Sequence, residues 1–366
     1  MFFVCISALI LLLYVVLISS FTIGWSRLKI FNPNISANSN TVGISVIVAF
    51  KNEEQHLQLL LNALQNQTRT DFELILVNDH STDTSVSIIE NSFSDFRNMK
   101  LLHAAGFGKK NALKEGILNA NNEYILCTDA DCLPENTWVE TISNFQSEFP
   151  SDLLVCPVGI ANENNSNIFN RIQQLEFSSL VASGAGAVGI GKPILCNGAN
   201  LAFSKKAWFG SQNDLHTELL SGDDVFLLLS IKKRGGIIRF VKSKDAFVYT
   251  SAANSFKTFV HQRQRWTSKS SAYTDSDIIF TAVVVFGISL VQVCLFFLSF
   301  FSLNFLISLG IVTFVKLLVD LVFFKTTKSF FLPTISYWYV FLLSVVYTIY
   351  TVYVAISGLI SGRAKW

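Results

Sequence analysis

From Phe2 to Ile23 the chain runs without a charged residue and is almost wholly apolar. About twenty such residues span the hydrocarbon core of a bilayer. Three more stretches of this kind follow late in the chain: Ile278 to Phe300, Leu303 to Phe324, and roughly Tyr337 to Ile360. Only 15% of all residues are charged and 33 are Phe, against roughly a quarter charged in an average chain, so part of this protein avoids water. No Lys or Arg precedes the first stretch and no small-residue cleavage site follows it; it reads as an anchor rather than a removable signal peptide. Arg27 and Lys29 lie just after it, which puts its C-terminal end in the cytoplasm. Lys316 and Asp320, four apart in the third stretch, are expected to pair inside a bundle or to sit near an interface. One span before a cytoplasmic domain and three after it place the C-terminus outside, whereas Arg363 and Lys365 favour inside. A re-entrant or interfacial late segment would reconcile the two.

Between the apolar ends the character changes. Asn32 to Thr41 is polar and contains Pro33, as a linker does. Strands are expected at Gly43–Phe50, Phe72–Val77, Met99–His103, Tyr124 onward, Leu153–Val158, Ile237–Val241 and Ala246–Thr250. Helical spacing falls between them: leucines at 57, 60, 61 and 64, then Val86–Phe93, Lys110–Ala120 and Val225–Lys232. Such alternation predicts an α/β domain of parallel strands with helices on both faces. Asn162 to Asn167 reads as a polar loop. Ile168 to Leu180 has helical spacing and is expected to pack on the domain or lie at the membrane interface. Gly184, Gly186 and Gly189 form a literal G-x-G-x-x-G, but after a helix rather than a strand. This excludes a dinucleotide fingerprint and predicts a flexible loop near the acceptor entrance. The expected organisation is an anchor over 1–25, a catalytic domain over 40–275 and an apolar region over 277–362.

The strand from Tyr124 ends in Thr128-Asp129-Ala130-Asp131-Cys132. Ligands of open α/β sheets bind at the carboxyl ends of strands. Two carboxylates one residue apart there suit Mg²⁺ or Mn²⁺, and such an ion bridges to substrate phosphates. An acidic turn is the competing reading. Asp79, at another strand end, can accept bonds from a base or ribose; Ser81 and Asp83 beside it read as helix caps. Lys109 and Lys110, after Gly106-Phe107-Gly108, stand at a helix start suited to phosphate or a uracil edge; a solvated lysine pair is the alternative. Ser221-Gly222-Asp223-Asp224 also opens a helix, where either acid could simply cap it, and where the dipole would lower a carboxylate's pKa. Asn197 to Asn200 reads as a turn or as a ligand for sugar hydroxyls. A net charge of +2 is too small to argue for nucleic acid. The six Cys, with no C-x-x-C spacing, indicate neither zinc nor a disulfide framework.

Four strings, "VNDHSTD", "TDADC", "SGDD" and "QRQRW", occur in that order. In this the chain resembles the membrane-bound family-2 glycosyltransferases of GT-A fold, from the first strand to the tryptophan motif. The resemblance implies a Rossmann-like mixed sheet that binds a nucleotide-diphospho-sugar, with flanking transmembrane helices. It implies that Asp79 and Lys109 hold the nucleotide, that Asp131 ligates the metal, and that Asp129 serves the ribose or the metal. It makes Asp224 the general base, with Asp223 beside it toward the acceptor. Gly222-Asp223-Asp224 stands where many relatives have Thr-Glu-Asp, which keeps the acid at the second position. Gln262, Arg265 and Trp266 match the family's Q-x-x-R-W and are expected at the diphosphate and acceptor. Arg263 reads instead as a juxtamembrane cation meeting anionic lipid.

The expected function is inverting transfer of a sugar, UDP-linked as the resemblance implies, to a membrane lipid or glycan on the cytoplasmic face of the cell membrane. A processive polysaccharide synthase subunit is the nearest alternative, although four spans are few for a polymer channel. Further alternatives are a non-catalytic nucleotide-sugar-binding membrane protein, or a soluble-type transferase merely tethered to the bilayer. Partner subunits, the sugar and the acceptor are not specified by the sequence.

Overall fold

The computed structural model describes residues 2–33, 41–161, 167–215 and 222–360. Most of the expected linker and of the loop before Asn167, with Ser221, Arg363 and Lys365, lies outside the described residues. The chain divides into two compact units, one of residues 28–161 and 195–251, the other of 1–27, 162–194 and 252–366.

In chain order the helices are α1 (Phe2–Arg27), α2 (Leu57–Gln65), α3 (Ser85–Asn91), α4 (Lys109–Asn119), α5 (Trp138–Glu148), α6 (Ile168–Gly189), α7 (Lys205–Gly210), α8 (Asp223–Lys233), α9 (Phe256–Thr267), α10 (Ser276–Leu298), α11 (Leu303–Phe331) and α12 (Trp338–Ile360). The strands are β1 (Ile44–Phe50), β2 (Glu73–Asn78), β3 (Met99–His103), β4 (Tyr124–Asp129), β5 (Leu133–Pro134), β6 (Leu153–Val155), β7 (Val158–Ile160), β8 (Leu201–Ser204), β9 (Ile238–Phe240) and β10 (Val248–Thr250).

The first unit is built on a seven-stranded sheet of order β3-β2-β1-β4-β8-β6-β9. Strands β1 to β4 run parallel. Every residue of β1 and β2 is buried, which is why both read as unbroken apolar runs rather than alternating ones. Because β1 pairs with β2 on one side and β4 on the other, the chain reverses direction of travel there. A crevice forms at such a switch point, beyond the carboxyl ends of the strands. Strand β8 is antiparallel to both β4 and β6, so the sheet is mixed, as the family resemblance implies and unlike the parallel strands read from the alternation alone.

The single strand expected over Leu153–Val158 is two. β6 stays in the large sheet, while β7 joins β10 and β5 in a second, three-stranded sheet. Pro157 separates them, and lacking an N–H it cannot continue a ladder. Its carbonyl instead accepts from Asn200 Nδ2 at 2.8 Å and from Val248 N at 3.2 Å.

The second unit is helical. Segments Phe3–Arg27, Ser276–Leu298, Leu303–Phe331 and Trp338–Ser357 are long and apolar enough to cross a membrane. Lys316 Nζ donates to Asp320 Oδ2 at 2.7 Å, and Tyr14 Oη donates to Asp320 Oδ1 at 2.6 Å, so this pair is made inside the bundle. The G-x-G-x-x-G segment is not a loop but the last turns of α6. A Cβ on Gly186 would stand 2.4 Å from the Phe21 carbonyl oxygen, and one on Gly189 2.1 Å from that of Gly24. The glycines let α6 and α1 touch backbone to backbone, the known use of small residues between apolar helices.

Candidate active site

Three of the four motif clusters meet in the sheet unit. Asp79 follows β2 and is buried; its Oδ1 accepts from Gly108 N at 2.8 Å. Gly108 has φ +93°, a left-handed value that glycine adopts freely, and it hands the chain into α4. His80 also has positive φ, and its ring stacks on Phe107 at 4.1 Å. The loops after β2 and before α4 are thus fastened to one another. Asp83 accepts from Ser85 N at 3.1 Å at the start of α3, and from Glu54 N at 3.1 Å.

Lys109, the first residue of α4, donates its Nζ to Asp129 Oδ1 at the end of β4. Its neighbour Lys110 pairs with Asp223 Oδ1 at 2.8 Å. One pair of lysines therefore joins the D-x-D strand end to the start of α8. Burial alone would lower the Lys109 pKa, but the carboxylate of Asp129, followed by those of Asp224 and Asp223, outweighs it and raises the value. The expectation that the helix N-terminus lowers the neighbouring carboxyl pKa is reversed at Asp223: burial is the larger influence and raises it, against the opposing pull of Lys110. Gly222 precedes α8 with φ +102°.

Asp224 is held by backbone. Its Oδ2 accepts from Gly198 N at 3.0 Å and its Oδ1 from Val225 N at 2.8 Å. Gly198 was not among the expected site residues. What aims it is a buried lock: Trp138 Nε1 donates to Asn200 Oδ1 at 2.9 Å, while Asn200 Nδ2 donates to the carbonyls of Pro157 and Ala246. Of the segment Asn197 to Asn200, Asn200 is thus structural and Gly198 supports the acid. No local pattern announces this, because the partners lie far apart in the chain.

Asp131 is exposed, and its Oδ1 accepts from Cys132 Sγ at 3.5 Å. One ligand atom each from Asp129, Asp131 and Cys132 lies within 4.8 Å of the others. Burial pushes the Cys127 thiol up to about 12 and the Cys132 thiol well above its ordinary value. The two aspartates offer hard oxygens, which fit Mg²⁺ or Mn²⁺. Lys109 pairs with Asp129 and Lys110 with Asp223, and the carboxylates of Asp224 and Asp223 also act on Lys109.

Gln262, Arg265 and Trp266 lie half-buried on α9 in the helical unit. Between them Arg263 departs from expectation. It does not face lipid: it is 5% exposed and bound to Glu176 of α6, itself 3% exposed. Burial works against the Arg263 charge, and the Glu176 carboxylate outweighs it.

Residues 45–207 match the family described as Glycosyl transferase family 2. A poly-beta-1,6-N-acetyl-D-glucosamine synthase from Staphylococcus epidermidis is 30% identical over 159 residues, 42% of this chain and 38% of that protein. The uncharacterized glycosyltransferase YibD of Escherichia coli is 32% identical over 118 residues, 32% of this chain and 34% of its own. The match thus spans little more than a third of these relatives' length. Among solved structures, mannosyltransferase PcManGT from Pyrobaculum calidifontis, in complex with GDP-Man and Mn²⁺, covers 98% of this chain and 100% of its own, with a TM-score of 0.56 and 15% identity. That likeness is one of fold. Residues 45–207 thus resemble a family-2 glycosyl transferase domain, and they lie on a mixed α/β sheet of GT-A type.

Proposed function

We propose that this protein is an inverting membrane glycosyltransferase that moves a sugar from a nucleotide-diphospho-sugar, UDP-linked, to a lipid or glycan acceptor. The observation that carries the reading is the junction of Asp129 and Asp223 through Lys109 and Lys110. It sets a strand-end acidic pair and a helix-start acidic pair beside one another. Asp79 and the loop it ties to Gly108 take the nucleoside, and Lys109 exchanges Asp129 for a phosphate oxygen when donor binds. Asp129 and Asp131 would hold Mg²⁺ or Mn²⁺, which supplies neutralisation of the charge developing on the leaving diphosphate.

Asp224 takes the proton from the acceptor hydroxyl as that oxygen attacks the anomeric carbon. The Gly198 and Val225 amides keep its carboxylate aimed. One base and direct displacement invert the configuration. Asp223, Gln262, Arg265 and Trp266 serve the acceptor and the diphosphate; support for the last three is the Q-x-x-R-W pattern and the suitability of Arg for diphosphate and of an indole face for a sugar or lipid. Arg27 and Lys29 after the first apolar helix favour a cytoplasmic catalytic domain in a multi-pass protein.

A second reading, processive polymer synthesis, is favoured by the similarity to the Staphylococcus epidermidis synthase. Against it stand the four candidate spans, few for a channel through which polar sugar must pass. Membranes bearing the protein, given a panel of radiolabelled sugar nucleotides with and without a chelator, separate the outcomes. A single-sugar glycolipid that disappears with chelator supports the first reading. A long polymer supports the second, and no transfer from any donor refutes both.

A further inference from the structure

Arg263 is the most constrained side chain of the Q-x-x-R-W helix, although it fills one of the motif's unspecified positions. Its Nε donates to Glu176 Oε1 at 3.0 Å and its Nη2 to Glu176 Oε2. This is the two-pronged pairing that a planar guanidinium makes with a carboxylate. Its Nη1 donates to Gln262 Oε1 at 2.6 Å. Its guanidinium carbon lies over the rings of Phe259 at 4.6 Å and Trp266 at 4.2 Å. Two charges this deeply buried persist only when they are paired and hydrogen-bonded, so Glu176 and Arg263 hold each other in one geometry. The two motif side chains that touch Arg263 inherit that geometry.

We propose that the Glu176–Arg263 pair is a positioning clamp that fixes Gln262 and Trp266 for the acceptor side of the transfer. The inference rests on the reading above that these two side chains serve the acceptor, and narrows their role to it. With Gln262 Oε1 accepting from Arg263, the amide's NH₂ has no partner among the described residues and is left to meet a ligand. Gln262 therefore offers a donor, and its partner is an oxygen of the acceptor molecule, such as a sugar hydroxyl. Arg263 acts through its neighbours and touches neither substrate.

The test uses the full chain in lipid nanodiscs, with thermal unfolding as the check on folding. Glu176→Gln and Arg263→Lys should each lower kcat at least tenfold while donor KM stays within about twofold, and the double variant should be no worse than the poorer single one. Gln262→Glu keeps an oxygen for Arg263 but removes the NH₂ donor, and should lose transfer as fully as Gln262→Ala. A second readout needs no turnover: the emission of Trp266, taken as wild type minus Trp266→Phe, should shift in Glu176→Gln and in Arg263→Lys. A loss confined to donor KM in Arg263→Lys, an active Gln262→Glu, or an unmoved Trp266 emission overturns the clamp. If the wild type transfers no sugar from any donor, the functional reading fails, and the Trp266 emission alone decides the inference. A variant too unstable to assay leaves the decision to Gln262→Glu, which spares the buried pair.

Discussion

Adjacent aspartates at the start of α8 live in different surroundings. Asp224 is gripped by two backbone amides, whereas Asp223, half-buried, pairs with Lys110. A general base contributes roughly 10²–10⁴ in rate, and Asp224 is the residue proposed for that role. Asp224→Asn should lower single-turnover transfer by about that factor and leave nucleotide affinity unchanged in calorimetry. Turnover at the wild-type rate would remove the base from Asp224. Asp223 yields a pH prediction. Its folded pKa lies above the unfolded value of 3.8, so its favourable contribution to folding is complete below that pH. The contribution is lost as pH rises through the folded value. Asp223→Asn lacks this loss. Thermal unfolding should show the variant gaining on wild type as pH rises above 3.8, and a constant difference would contradict the shift. The acids were legible in the sequence because each terminates or opens an element. Gly198 and the Glu176–Arg263 pair were not, since those partners meet only after the chain has folded.

At the scale of elements, periodicity located β1 to β4, β9, β10, α2 to α4 and α8, helped by burial on both faces of β1, β2 and β4, which leaves unbroken apolar runs; β5, β8, α5 and α7 were not expected. It failed where one residue type has two uses. Gly184, Gly186 and Gly189 signal a loop in water, yet between apolar helices they permit close approach. Gly186→Val should destabilise the helical unit by about 1–3 kcal/mol, as overpacking does, because its Cβ would strike the Phe21 carbonyl. Gly287→Ala should be nearly silent, its Cβ meeting Ile10 Cγ2 at an ordinary 3.5 Å. Detergent melting curves of the two variants make the comparison, and equal melting points would argue against backbone contact between α1 and α6. Pro157 likewise marked a break that an apolar run had hidden.

For the whole molecule, the order of strands was the least accessible feature. Local pattern predicts parallel β1 to β4, but the antiparallel insertion of β8 between β4 and β6 joins segments far apart in sequence. That insertion matters, since the turn leading into β8 carries the amide that holds Asp224. The fold thereby brings one acidic pair from a strand end to another from a helix start; in the proposed function the first organises the donor around a divalent ion and the second serves the acceptor. Titration of the full chain with UDP, in Mn²⁺ and in chelator, separates the two roles. UDP binding should require Mn²⁺ and weaken at least tenfold in Asp131→Asn, while Asp224→Asn binds as wild type does. Binding indifferent to both Mn²⁺ and Asp131 would overturn this division.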